Sequence, residues 1–147
     1  MINQHAARAL EVQLKKRSKT NSSRKGKEGE RAAAKYLEAL GFPGAKRTQQ
    51  HCGAAGDSDV IASESLPGLF VEVKFGYPLG NFDLDKTLFQ RAVAQATSDA
   101  GNSAWVILWK PYNHRLWRLT TNECLGAVAT FSGDEDIRKV LRTFQPC

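Results

Sequence analysis

The sequence predicts an α/β protein with a central mixed five-stranded sheet flanked by helices. Three observations carry that expectation. Apolar residues recur at helical spacing in three well-separated stretches. Four short runs, apolar or alternating, have strand length near turn residues, and the polar stretch Lys46 to His51 can extend as a fifth strand. The resulting order is helix, three strands, helix, two strands, helix, which suits a mixed sheet with helices packed on it.

The first firm helix runs from Ser23 to Leu40. Asn21, Ser22 and Ser23 are cap candidates, Gly41 is a natural stop and Pro43 follows it. Ala33, Tyr36, Leu37 and Leu40 form its apolar stripe. Glu30 lies three and seven positions before Ala33 and Leu37, so it borders the buried face. Lys46 to His51 extends as a strand, and Gly53 to Gly56 is a flexible loop. Val60-Ile61-Ala62 and Leu69 to Phe75 are neighbouring strands around the Leu66-Pro67-Gly68 turn, and Gly76 to Asn81 is a loop.

A second helix spans about Leu84 to Ala100, with Leu88, Phe89, Ala92, Val93 and Ala96 on one face and Gly101 ending it. Ala104 to Trp109 is apolar throughout and reads as a central strand. Pro111 to His114 makes a hairpin turn into a more exposed strand, Arg115 to Thr120. Asp134 caps a last helix carrying Ile137, Val140, Leu141 and Phe144. Ahead of all this, Ala6, Ala9, Leu10 and Leu14 suggest a short helix, and Lys15 to Ser23 reads as a mobile linker. Residues 1–23 therefore form a basic arm, and residues 24–147 one domain.

The 147 residues suffice for a single core, and 41% hydrophobic with 24% charged residues is ordinary for a globular domain. No apolar run approaches the ~20 residues that span a bilayer, and the basic N-terminus lacks the apolar segment of a secretory signal. A cytoplasmic location is the expectation. Cys52, Cys124 and Cys147 are far apart, form no CxxC pair and do not complete a zinc spacing with His5, His51 or His114. Reduced thiols are the simpler account.

Charge is unevenly spread. Through Lys35 the chain carries ten basic against three acidic side chains, a surplus of seven. The whole chain carries +6, so the remainder sums to −1. A basic arm on a near-neutral body suits a polyanion. Lys15 to Lys27 has almost no apolar face, which favours nucleic acid over a membrane.

The unusual charges lie inside the paired strands. Alternate residues of a strand share a face. Leu69, Val71, Val73 and Phe75 therefore line one side of theirs, and Glu72 and Lys74 the other; Asp57 and Asp59 share a face of the preceding strand. Glu-X-Lys alone is often a weak surface ion pair. Clustered carboxylates are costly to bury unless a cation joins them, and a hard divalent ion such as Mg2+ prefers such oxygen donors.

Arg24-Lys25-Gly26-Lys27-Glu28-Gly29-Glu30-Arg31, Leu37-Glu38-Ala39-Leu40-Gly41-Phe42, Asp59-Val60-Ile61-Ala62 and Glu72-Val73-Lys74 occur in that order. The set resembles the archaeal-type Holliday junction resolvases of the PD-(D/E)XK nuclease superfamily, in the form of a phage-encoded version. The resemblance covers about Arg24 to Trp117 and implies a restriction-endonuclease-like core. It also implies a metal-dependent endodeoxyribonuclease that resolves four-way DNA junctions as a homodimer, in the host cytoplasm if phage-encoded.

Carried over, the catalytic set is Glu30, Asp59, Glu72 and Lys74. The metal set is Glu30, Asp59, Glu72 and the Val73 carbonyl, with Mg2+ as cofactor and Mn2+ as a possible substitute. Glu28 competes with Glu30, and Asp57 with Asp59. DNA phosphates fall to Lys15, Lys16, Arg17, Lys19, Arg24, Lys25, Lys27 and Arg47. The loop between Arg47 and Asp57 is longer than in those resolvases, and Thr48 or Gln50 stands where they carry a serine. Trp105, Trp109, Trp117 and Phe82 are candidates for an apolar dimer surface, with core packing expected for at least two of them. The other readings are a nuclease of the same fold acting on flaps, nicks or duplex, and a non-catalytic DNA-binding protein.

Overall fold

A computed structural model describes residues 24–48, 58–62, 64–77, 87–122 and 127–146. The N-terminal arm with Lys15, Lys16, Arg17 and Lys19 lies outside the described residues. So do Gln50, the Gly53 to Gly56 loop, Asp57, Phe82 and all three cysteines.

The first helix, α1 (residues 24–39), ends as its sequence predicts. The Gly41 N–H donates to the Glu38 carbonyl and the Phe42 N–H to the Leu37 carbonyl, each at 3.0 Å, the paired bonds of a Schellman cap. Gly41 takes φ +102°, where a side chain would be strained. Phe42 and Leu37, brought together by that cap, both enter the core.

Six strands form one sheet in sequential order: β1 (Lys46–Arg47), β2 (Val60–Ile61), β3 (Phe70–Phe75), β4 (Trp105–Lys110), β5 (Arg118–Asn122) and β6 (Val128–Ser132). Helix α2 (Thr87–Ala100) links β3 to β4, and that pair is parallel; the other neighbours are antiparallel. This is the mixed α/β architecture expected, with six strands rather than five. The extra strand, β6, pairs all along β5, so β5 is an inner strand with a largely buried surface rather than an exposed one. Of the expected strand Lys46 to His51, Lys46–Arg47 pair with β2, and residues 49–51 lie outside the described residues.

Both faces of the sheet are covered, which follows from the alternation in β4. Val106 and Leu108 face α1 and α3 (Asp134–Arg142), packing with Ala33, Leu37, Ile137 and Leu141. Trp105, Ile107 and Trp109 face α2, packing with Phe89, Ala92 and Ala96. Truncating a fully buried leucine such as Leu37 or Leu141 to alanine costs about 2–5 kcal/mol at such sites. Trp105, Trp109 and Trp117 are all buried, so they belong to the core and not to a dimer surface. Asp134 is the first residue of α3 rather than its side-chain cap. Its Oδ1 accepts a hydrogen bond from the Tyr36 hydroxyl at 2.8 Å and ties α3 to α1. No helix among the described residues is long and apolar enough to cross a membrane.

Candidate active site

The site forms where β2 and β3 part. Their ladder is short, with Val60 opposite Val71. The Asp59 N–H donates to the Val71 carbonyl at 2.8 Å, and Ser58 Oγ accepts the Val71 N–H at 2.8 Å. Past that point the Asp59 side chain replaces the missing ladder carbonyl: its Oδ2 accepts the Val73 N–H at 2.8 Å. The N–H and C=O of a strand residue point to the same edge. The Val73 carbonyl therefore faces the side on which the Asp59 carboxylate sits.

On β3, Leu69, Val71, Val73 and Phe75 pack against the α1/α3 core, as strand parity requires. Glu72 and Lys74 take the opposite face, in register with Ile107 and Trp109 of β4. Glu72 is only 7% exposed, and its Oε1 lies 3.5 Å from the Lys74 ammonium. Arg118, opposite Trp109 on β5, holds its guanidinium 5.0 Å from a Trp109 ring centroid on that face.

Glu30 arrives from α1 because the helix sits very close to β3. Gly29 is buried against Phe75, and a Cβ there would collide with the Phe75 Cβ and Cγ. The next residue, Glu30, meets β1: Arg47 Nε donates to Glu30 Oε2 at 2.5 Å. Glu30 is half-buried and faces the site, whereas Glu28 is exposed.

The electrostatics report the crowding. Burial, then the Glu72 and Glu30 charges, push the Asp59 carboxyl up to about 7, against the opposing pull of the Val73 N–H and Lys74. Burial also raises Glu72, with Lys74 pulling it down and Asp99 and Glu30 adding to the rise. Asp99, on α2, has no signal in the sequence that would join it to the site. Ser58, between the two aspartates, carries no such signal either.

The donors present are all oxygens, and the strain on Asp59 and Glu72 is of the kind a cation relieves. Asp59, Glu72 and the Val73 carbonyl are oxygen donors of the kind a hard divalent ion takes. Among the described residues no three His, Cys, Asp or Glu side chains close around one point; Glu30 is engaged by Arg47. The expected four-residue set is thus brought to one region, but as two carboxylates with Lys74, and Glu30 held one step away. Of the phosphate-binding candidates described, Arg24, Lys25 and Lys27 are exposed near the start of α1, and Arg47 is committed to Glu30.

No family model, curated protein or solved structure matches this chain.

Proposed function

We propose that the chain is a metal-dependent endodeoxyribonuclease with a PD-(D/E)XK-type site that acts on branched DNA, four-way junctions above all. The observation that carries this reading is the convergence of a buried carboxylate, Glu72, and a part-buried one, Asp59, with Lys74 at the parting of β2 and β3. Buried like charges are unfavourable in a purely structural role. A binding protein has no use for acids facing a phosphate backbone.

In this reading Asp59, Glu72 and the Val73 carbonyl hold Mg2+, or Mn2+ in its place. Such an ion, when bound, eases ionisation of the attacking water and relieves charge on the phosphate. Lys74, steadied by Glu72, orients that water and stabilises charge on the phosphate oxygens. Glu30 joins the site once Arg47 turns to the DNA backbone. Lys25, Lys27 and Arg24 contact phosphates, so binding weakens steeply with salt and has little base preference. A four-way junction has two symmetric scissile positions, so the reading includes a C2 homodimer.

The test is cleavage of a labelled four-way junction, a matched linear duplex and a flap, in Mg2+ and in chelator, by wild type and Asp59→Asn. Paired symmetric cuts confined to the junction, lost in chelator and in the variant, are expected. Cutting of all three substrates would keep the nuclease and remove junction specificity. Binding without cutting under any divalent ion would leave a DNA-binding protein.

A further inference from the structure

Two clefts lie end to end beyond Lys74. The first, of about 190 Å3, is lined by Lys74, Lys25, Phe75, Gly76 and Tyr77 among others. The second, of about 290 Å3, shares Lys25, Phe75 and Gly76 and continues to Lys110, Tyr112 and His114. Three lysines line this channel, against the single carboxylate of Glu28.

At its far end Tyr112 is 61% exposed, the largest exposure of any aromatic residue described. A lone exposed aromatic is ordinary in itself. This one is held in place. The His114 N–H donates to the Pro111 carbonyl at 3.2 Å, closing a tight turn. Asn113 takes φ +60°, a conformation that asparagine tolerates better than most residues. The Tyr112 N–H donates to the Tyr77 carbonyl at 2.8 Å, and the Gly76 N–H to the Lys110 carbonyl at 3.0 Å, so the turn is stitched to the end of β3. The Lys25 ammonium stands 5.9 Å from the Tyr112 ring centroid.

A flat aromatic surface on a fixed turn, with ammonium groups beside it, matches a nucleotide: a planar base next to an anionic phosphate. Base–aromatic stacking is tolerant of sequence and needs the base out of its duplex. We infer that Tyr112 is a stacking platform for an unpaired nucleotide of the DNA, with Lys25 and Lys110 holding the adjoining phosphates. The inference rests on the nucleic-acid reading above and adds to it that a base is freed from pairing at the branch point near the cut. The channel from Lys74 to Tyr112 then carries a strand leaving the duplex.

The experiment uses the full chain and a forked DNA with 2-aminopurine at the unpaired position, in chelator so that nothing is cut. Wild type quenches the 2-aminopurine fluorescence. Tyr112→Ala loses the quenching and raises Kd for the fork about tenfold, while its Kd for a fully paired duplex stays within about twofold. Tyr112→Phe keeps both properties. Equal quenching and equal Kd for wild type and Tyr112→Ala would overturn the platform, as would a wild type that binds no DNA. Junction cutting in Mg2+ is read separately. Quenching as described without any cutting would sink the nuclease and keep the platform, whereas cutting with no Tyr112 dependence of quenching would do the reverse.

Discussion

Arg47 and Glu30 meet at 2.5 Å, Nε to Oε2, joining β1 to α1 beside the parted strands. Both side chains are partly exposed, so the pair contributes no more than about 1 kcal/mol to stability. Its consequence is electrostatic: it keeps one carboxylate neutralised next to two others. Arg47→Gln is expected to free Glu30 and tighten Mn2+ binding several-fold, read by calorimetry in the absence of DNA. The same variant weakens DNA binding and lowers its salt dependence. Unchanged Mn2+ affinity would show that Glu30 takes no part in holding the ion.

Asp59→Asn separates the charge of this residue from its shape. The amide still accepts the Val73 N–H, which Asp59 Oδ2 now does at 2.8 Å, but removes a part-buried charge repelled by Glu72. At pH 8 in chelator the variant is expected to melt about 3–6 °C above wild type. Addition of Mn2+ then raises the Tm of wild type and leaves that of the variant unmoved. A variant less stable than wild type in chelator would mean that the Asp59 charge is offset by a partner that only the carboxylate satisfies.

The pH dependence follows from the same residue. The folded chain holds a proton on Asp59 up to about 7, against an ordinary value of 3.8. Across that window the folded state binds more proton than the unfolded state, so stability falls as pH rises and levels off above it. Glu72 is displaced in the same direction and adds to the fall. Thermal melts in chelator between pH 5 and pH 8 should therefore show a declining Tm, with a shallower decline in Asp59→Asn. A Tm that climbs for wild type over this interval would contradict the site's electrostatics. Metal competes with the proton, so apparent Mn2+ affinity rises across the same range.

What the sequence discloses and what it hides follow from distance along the chain. Asp59, Glu72 and Lys74 are legible because a strand puts alternate residues on one face, and charge on a strand within an apolar run is conspicuous. Glu30 is legible from its place beside the Ala33 and Leu37 stripe. The Arg47–Glu30 pair is not, because it joins residues 17 positions apart on different elements, and either could face water. Asp99 and Tyr112 are hidden for the same reason. Strand β6 escapes notice because its apolar/polar alternation, Ala129 to Ser132, is too short to stand out, and as an edge strand it has no fully buried residue. Core packing, expected for at least two of Trp105, Trp109, Trp117 and Phe82, holds for all three tryptophans, because helices cover both faces of the sheet.

Gly29 makes the last prediction, since it sets how close α1 comes to β3. A methyl group there meets Phe75 at its Cβ and Cγ, atoms fixed to the strand that cannot swing away. Gly29→Ala is expected to lose about 1–3 kcal/mol by overpacking, in spite of alanine's better helix propensity. It also moves Glu30 away from the place it takes once Arg47 turns to DNA, so Mn2+-dependent cleavage drops along with stability. Gly26 lies one turn earlier in the same helix, and a methyl group added there would have nothing within 4 Å. Gly26→Ala is accordingly expected to gain roughly 0.5–1 kcal/mol. Urea melts of the two variants side by side check the pair: opposite signs locate the constraint at the contact with Phe75, and two stabilised proteins would show that α1 can lift from the sheet without cost.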